Sequence, residues 1–296
     1  MRRSLVWDRV ATGVFWAIGV FVVAILGAII LHFLLASMGT ISLDFLTSDP
    51  SRTNLGGVAP ILWNSVYILA LTLLITVPLG TIGGIYMAEY AGDGRLPNLI
   101  RLSQELISSV PSIVVGLFGL ALFVIAFGWS FSAISGALAL TVFNLPLMMR
   151  LAEQALRAVP QDERDASLAL GATKWQTIRH VVLPLAIPGI VTGIILTAGR
   201  IFGEAAALIF TAGLSTPGGY DFSNLNVTDP RSPWSPFHTS TTLSVYIWKL
   251  NSEGLGNFVH QIADTSAAIL VVAVLAFNLF ARGLGRALQR HTTGSR

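Results

Sequence analysis

Within the apolar stretch LTAGRIFGEAAALIFTAG, Leu196 to Gly213, stand two full charges, Arg200 and Glu204, one helical turn apart. A charged side chain at mid-bilayer costs roughly 2.5–3.5 kcal/mol on insertion scales. At i and i+4 on a helix the two side chains can meet, which offsets part of that cost. One face of the stretch, taken at helical spacing, reads Gly193, Thr197, Arg200, Glu204, Ala207, Thr211, all small, hydroxylated or charged, while Ile195, Ile201, Phe202, Leu208 and Ile209 fall on the other side. The pattern predicts a polar stripe lining a path, with apolar packing behind it. Arg suits an oxyanion, because its planar guanidinium offers a fork of donors to two oxygens and stays protonated. Glu204 has the wrong sign to attract an anion; it is expected to hold the guanidinium in place and to weaken binding enough for release. The competing reading is an ion pair that only locks helices together, although well-packed apolar residues often stabilise as well as a buried pair.

A second cluster, Arg150, Glu153 and Arg157, stands at the end of another apolar stretch. Glu153 and Arg157 are spaced to pair, leaving Arg150 for a lipid headgroup or an anion leaving the path. His32 stands alone in an apolar run and is expected to pack with a hydrogen bond, and Asn144 is placed to satisfy backbone groups freed by Pro146. The chain has no cysteine, which removes disulfides, a thiolate nucleophile and cysteine zinc sites. It has no H-E-x-x-H, no G-x-S-x-G and no paired aspartates. The fragment LGATKW lacks the first glycine of a nucleotide phosphate loop. No catalytic residue, metal ligand or cofactor is therefore expected of this chain.

The elements that carry these residues follow from composition. Of 296 residues 53% are hydrophobic and only 11% charged, with mean hydropathy +0.72; soluble domains carry roughly 25% charged residues. The expected solvent is lipid, and the basic pI near 9.6 is read as loop Lys and Arg rather than nucleic-acid binding. About 20 apolar residues cross a bilayer, and six stretches qualify: Val14–Ala36, Leu62–Tyr86, Leu106–Gly128, Ala133–Met149, Ile187–Ala212 and Ser266–Leu284. The first is longer than a signal-peptide core and LLASMGT offers no A-x-A site, so it reads as an uncleaved helix. With both termini inside, inner segments hold 14 of the 18 Lys and Arg, outer segments hold only Arg52, Arg231 and Lys249, and Arg200 is the remaining one. That bias predicts a multi-pass protein with cytoplasmic termini. The chain divides into a first helix and outer loop (1–60), a core (61–284) and a basic tail (285–296). The outer loop Leu214–Thr265, rich in Pro, Gly, Ser and Trp, is expected to form a cap or docking surface without a long helix.

Between the fourth and fifth stretches lies VPQDERDASLALGATKWQTIRHVVLP, residues 159–184. Pro160 and the acidic residues after it start a helix, which Gly171 interrupts. A solvated interfacial helix is one reading. The spacing Asp165-Ala166-Ser167, three residues, Gly171, nine residues, Val181-x-Leu183-Pro184 resembles the EAA loop of ABC importer permeases, usually E-A-A-x3-G-x9-I-x-L-P. In that family the loop docks in a groove of a separate ATPase, which would assign coupling to Asp165, Ala166, Ser167, Leu168, Gly171 and Ala172. Further stretches, NLGGVAPILWNSVYILALTLLITVPLGTIGGIYMAEYA, SSVPSIVVGLFGLALFV, LPLMMRLAEQALRAVP and GRIFGEAAALIF, resemble the A-type (PstA) membrane subunits of bacterial phosphate-specific ABC importers.

The resemblance implies an all-α permease of about six transmembrane helices, of the type I ABC importer fold, in the bacterial cytoplasmic membrane. It implies a C-type permease partner forming a heterodimer, two copies of an ATPase that bind ATP and Mg2+, and an external phosphate-binding protein. It also implies that Arg200 and Glu204 take part in translocation; the polar face and the inner charge cluster read from the residues would add Thr197 and Arg150 to the same path. Phosphonate, sulfate or molybdate importers share the architecture, and a polytopic membrane enzyme or an ion-driven secondary transporter are further alternatives.

Overall fold

The computed structural model describes residues 2–51, 56–92, 94–229, 231–254 and 258–292, and these contain helices and loops without a strand. Arg52 and the last four residues of the basic tail lie outside them. The first helix, α1 (Arg2–Ser37), packs beside the last, α12 (Val259–Thr292), and leaves Phe15, Trp16, Phe21 and Val23 exposed. A short α2 (Leu43–Thr47) is capped by Ser42, whose hydroxyl accepts from the Phe45 amide at 3.1 Å. The next helix, α3 (Ala59–Ile85), begins with Pro60, where a missing N–H costs nothing, and ends in a π-helical turn, Tyr86–Tyr90. Then come α4 (Arg95–Ser109), α5 (Ser112–Gly119) with a π-helical continuation Leu120–Ala126, and α6 (Ala133–Arg157). The coupling-like loop holds α7 (Gln161–Ala169) and α8 (Lys174–Thr177) and returns through a π-helical turn, Ile178–Val182, into α9 (Leu183–Gly203). Short α10 (Ala206–Ile209) and α11 (Leu243–Glu253) precede α12.

Among the described residues five helices are long and apolar enough to cross a membrane, and a sixth span exists if the bent pair α4–α5 counts as one. That pair corrects the third expected span, Leu106–Gly128. Pro111 carries no amide hydrogen and pushes Val110 into extended backbone, so α4 and α5 meet at 97°. The fifth expected span, Ile187–Ala212, starts and ends earlier than expected: it runs from Lys174 through α9 and stops at Gly203, and Glu204 is extended, with φ −75° and ψ 123°. The outer loop contains the 11-residue α11 in addition to the expected turns.

The centre of the bundle is α6. Glycines bring two helices against it at backbone distance, as small residues do where lipid supplies no hydrophobic drive. On α3, a Cβ added at Gly84 would stand 2.6 Å from the Ala152 Cβ and 2.9 Å from the Glu153 amide nitrogen. On α9, one at Gly189 would stand 2.6 Å from the Ala155 Cβ, and one at Gly193 3.0 Å from the Leu151 Cβ. At the opposite end of the bundle from α7, residues 215–229 and 231–242 fold down as a cap. Trp63 Nε1 donates to the Pro233 carbonyl at 2.9 Å and the Tyr67 hydroxyl to the Trp234 carbonyl at 2.7 Å. Tyr220 donates to Asn64 Oδ1 at 2.8 Å and lies 2.7 Å from His238 Nε2. Burial pushes the Tyr220 hydroxyl up and the His238 imidazole down from their ordinary values.

Candidate substrate path and coupling loop

Arg200 is half-buried near the end of α9, and its guanidinium stacks on the Phe143 ring of α6 with the central carbon 3.9 Å from the ring centre. Among the described residues no group accepts a hydrogen bond from it and no carboxylate lies within 4.0 Å. Sequence reasoning missed Phe143, because aromatic residues in a span usually signal packing. On either side of Arg200, Gly199 and Gly203 face open space, with no atom within 4 Å of an added Cβ.

The expected Arg200–Glu204 pair does not form. Because the helix ends at Gly203, the spacing that would bring the two together is lost. The Glu204 carboxylate instead accepts from the Ala207 amide at 3.3 Å, starting α10, and its carbonyl accepts from the Ser244 hydroxyl of α11 at 2.7 Å. The polar stripe is corrected as well. Thr197 is fully buried with its hydroxyl 3.9 Å from Met148 Sδ, and Gly193 presses on Leu151, so both belong to the seam with α6. Two smaller expectations also change. His32 is exposed and meets only Phe33, edge-on at 5.6 Å. Asn144 donates to the Leu140 carbonyl at 2.8 Å, leaving aside the Val142 carbonyl, one turn before Pro146.

At the α7 end, Glu153 is 7% exposed and takes two arginines. Arg157 Nε donates to its Oε1 at 3.0 Å, as the spacing implied, and Arg101 of α4 donates to the same oxygen at 3.2 and 3.0 Å. Arg150 lies 3.8 Å from Glu105, both more than half exposed, a pair worth about 0–1 kcal/mol.

The loop after α6 is built around Gly171. The Gly171 amide donates to the Leu168 carbonyl at 2.9 Å and the Ala172 amide to the Ser167 carbonyl at 3.3 Å, which is the helix stop that requires a left-handed residue, here φ +84°. Thr173 and Gln176 then cap α8 reciprocally. Ser167 and Thr177 share a 2.9 Å hydrogen bond across the turn, and Asp165 accepts from Gln161 at 3.0 Å. Ala166, Leu168 and Trp175 are exposed, and Leu170 is 90% exposed. Such an apolar projection at a loop tip is unusual without a partner.

Beneath the loop, Arg164 forms an ion pair with Glu89 and donates to the Leu156 carbonyl at 2.7 Å. Lys174 donates to the Glu89 carbonyl and sits 4.9 Å over the Tyr90 ring. Nothing in the sequence singled out Glu89; the only signal was its place as the lone acid between the third helix and Asp93.

Residues 80–294 match the model of a family described as binding-protein-dependent transport system inner membrane components. The chain belongs to that family. It is 45% identical over 296 residues, the full length of both, to a probable ABC transporter permease protein, YqgI, of Bacillus subtilis. It is 35% identical over 246 residues, 82% of this chain and 80% of the other, to the phosphate transport system permease protein PstA of Xylella fastidiosa. Among solved structures, a bacterial alginate ABC transporter in complex with an alginate pentasaccharide-bound periplasmic protein matches with a TM-score of 0.63 at 17% identity, covering 98% of this chain and 96% of that one. A methionine ABC transporter, MetNI, in an inward-facing conformation matches with a TM-score of 0.56 at 19% identity, covering 76% and 93%. These structures share the fold, that of type I ABC importer permeases, and the chain is a multi-pass membrane subunit of this kind.

Proposed function

We propose that this chain is the A-type permease subunit of an ATP-driven importer of inorganic phosphate. ATP and Mg2+ are bound and ATP is hydrolysed in two copies of a partner ATPase, one of which docks on Ala166, Leu168, Leu170 and Trp175 around Gly171. A C-type permease completes the path, an external phosphate-binding protein delivers the ion, and both termini face the cytoplasm. Transport proceeds by alternating access. The observation that carries the reading is Arg200: a permanent cation in a span-length apolar helix, stacked in place, with every donor unclaimed by protein. A donor group so placed needs an acceptor, and a passing oxyanion supplies one. Glu204 shapes the break beside it, and Arg150 stands toward the other end of the path. The several PstA relatives favour phosphate.

A second reading is a permease for another oxyanion, since a guanidinium fork fits sulfate, molybdate or a phosphonate as well, and the relative matched along its whole length carries no substrate in its name. Reconstitution of the four-component complex in proteoliposomes tests both. Labelled phosphate should enter only with ATP, and excess sulfate, molybdate or phosphonate should leave uptake unchanged. Uptake driven by an ion gradient without ATP, or competition by another oxyanion, refutes the phosphate importer.

A further inference from the structure

Between its buried ends, Val159 and Val182, which pack in a core cluster with Met148 and Leu156, the loop between α6 and α9 stands off the bundle. A cleft of about 650 Å3, lined by Glu89, Arg157, Gln161, Arg164, Lys174 and Thr177, lies between its middle and the bundle. The loop joins the bundle through two joints, the non-helical residues 158–160 on one side and the π-helical turn Ile178–Val182 on the other. Left to these alone, a push on the loop would swing it into the cleft and be absorbed there.

We infer that Glu89 is the grip that prevents this swing and passes displacement of the coupling loop to the α3–α6 pair. Both arms of the loop hold this one residue: α7 through Arg164 to the carboxylate, and α8 through Lys174 to the carbonyl. The ion pair is largely withdrawn from solvent, with Arg164 12% and Glu89 9% exposed, so screening by water and salt is weak. Arg164 also bonds the Leu156 carbonyl of α6, and Arg157 of α6 bonds the Met87 carbonyl at 3.1 Å. The end of α3, the end of α6 and the loop thus form one charge-linked joint. Glu89 lies in the π-helical turn Tyr86–Tyr90, a geometry concentrated at functional sites. Glu89 and Arg164 are positioning residues; neither touches the transported ion.

The inference rests on the importer reading above, and its test separates the two. In proteoliposomes holding the complete complex, phosphate moved and ATP hydrolysed are measured together. Glu89→Gln keeps the carbonyl for Lys174 and removes the charge. It should leave the ATPase bound and ATP turnover within about two-fold, while phosphate moved per ATP falls about ten-fold, as expected when one member of a buried charge pair is neutralised. Because the chain has no cysteine, a Glu89→Cys, Arg164→Cys double variant can be bridged by a short bismaleimide. The ratio should be low before linking and recover to at least about half the unsubstituted value afterwards, which a role confined to folding would not produce. The same pair supplies the readout should Glu89→Gln fail to assemble. An unchanged phosphate-to-ATP ratio in Glu89→Gln, or a ratio that stays low after linking, overturns the grip. Unsubstituted complex that takes up no phosphate with ATP overturns the importer reading itself.

Discussion

Arg200→Lys separates a guanidinium that meets an oxyanion from a positive charge that merely fills a helix face. The substitution keeps the charge and nearly the length. It loses the second bond of a bidentate contact, about 1.5–3 kcal/mol for a hydrogen bond to a charged group. It also loses most of the stacking on Phe143 at 3.9 Å, about 0.5–2 kcal/mol. No protein acceptor holds Arg200, so neither loss is offset by releasing another contact. Together they amount to roughly 2–5 kcal/mol, or about 30- to 5,000-fold in the phosphate concentration that half-saturates uptake. Phe143→Leu removes only the ring and should cost about 2- to 30-fold. Both are read as initial uptake rates against phosphate concentration in proteoliposomes, with co-purification of the ATPase as the assembly control. An Arg200→Lys complex within about three-fold of the unsubstituted protein refutes the bidentate contact. Loss of assembly in place of affinity would return Arg200 to a structural role.

Three further outcomes follow from the geometry. Gly84→Ala forces a methyl against Ala152 at 2.6 Å and the Glu153 amide at 2.9 Å, so it should destabilise the α3–α6 seam by about 1–3 kcal/mol; an unchanged thermal melting point in detergent contradicts that seam. Gly171→Leu, strained by about 1–2 kcal/mol at φ +84°, and Ala166→Asp should each release the ATPase, seen as lost co-purification, and retention with full coupling refutes the docking surface. Burial of His238, only partly offset by the Ser235 carbonyl, lowers its folded pKa below the unfolded value of 6.5; as pH falls below 6.5 the unfolded cap therefore gains a proton that the folded cap does not, and stability declines by at most about 1.4 kcal/mol per pH unit. Hydrogen-exchange protection over residues 232–242, measured against the intrinsic rate at each pH, should fall in wild type as pH falls through that window, and not in His238→Gln.

Those residues also show where a single sequence is legible. Hydropathy found the spans because lipid imposes the same demand on every one, and spacing located the loop stop at Gly171 because only a left-handed residue closes it. Helical spacing failed at Arg200 and Glu204 because it assumes an unbroken helix. The break after Gly203 carries no proline; beside the local bond from the Ala207 amide to the Glu204 carboxylate, it is held by the Ser244 hydroxyl, 40 residues away, which no local pattern records. Pro111 was visible, but its effect as a right-angled bend depends on Arg101 and Gln104 of α4 turning toward α6, contacts distant in sequence. Glu89 stayed hidden for the same reason: its partners are 75 and 85 residues away.

The glycines of α9 connect the loop to the guanidinium. From Leu183 to Arg200 the helix rises about 25 Å, most of a hydrocarbon core roughly 30 Å thick. Along one side Gly189 and Gly193 close onto Ala155 and Leu151, so α9 moves with α6. The second pair, Gly199 and Gly203, has the same spacing and meets nothing within 4 Å. In lipid, small residues at this spacing mark where another backbone approaches, and here they bracket the Arg200 guanidinium, whose donors no described residue accepts. In the heterodimer proposed above, that open strip faces the partner permease, which places Arg200 on the boundary between the two subunits. This chain would then supply the donors, and the acceptor would come only from across that boundary or from the ion itself. An acceptor held by this chain would have fixed the guanidinium for good; with none among the described residues, Arg200 is free to bind and let go.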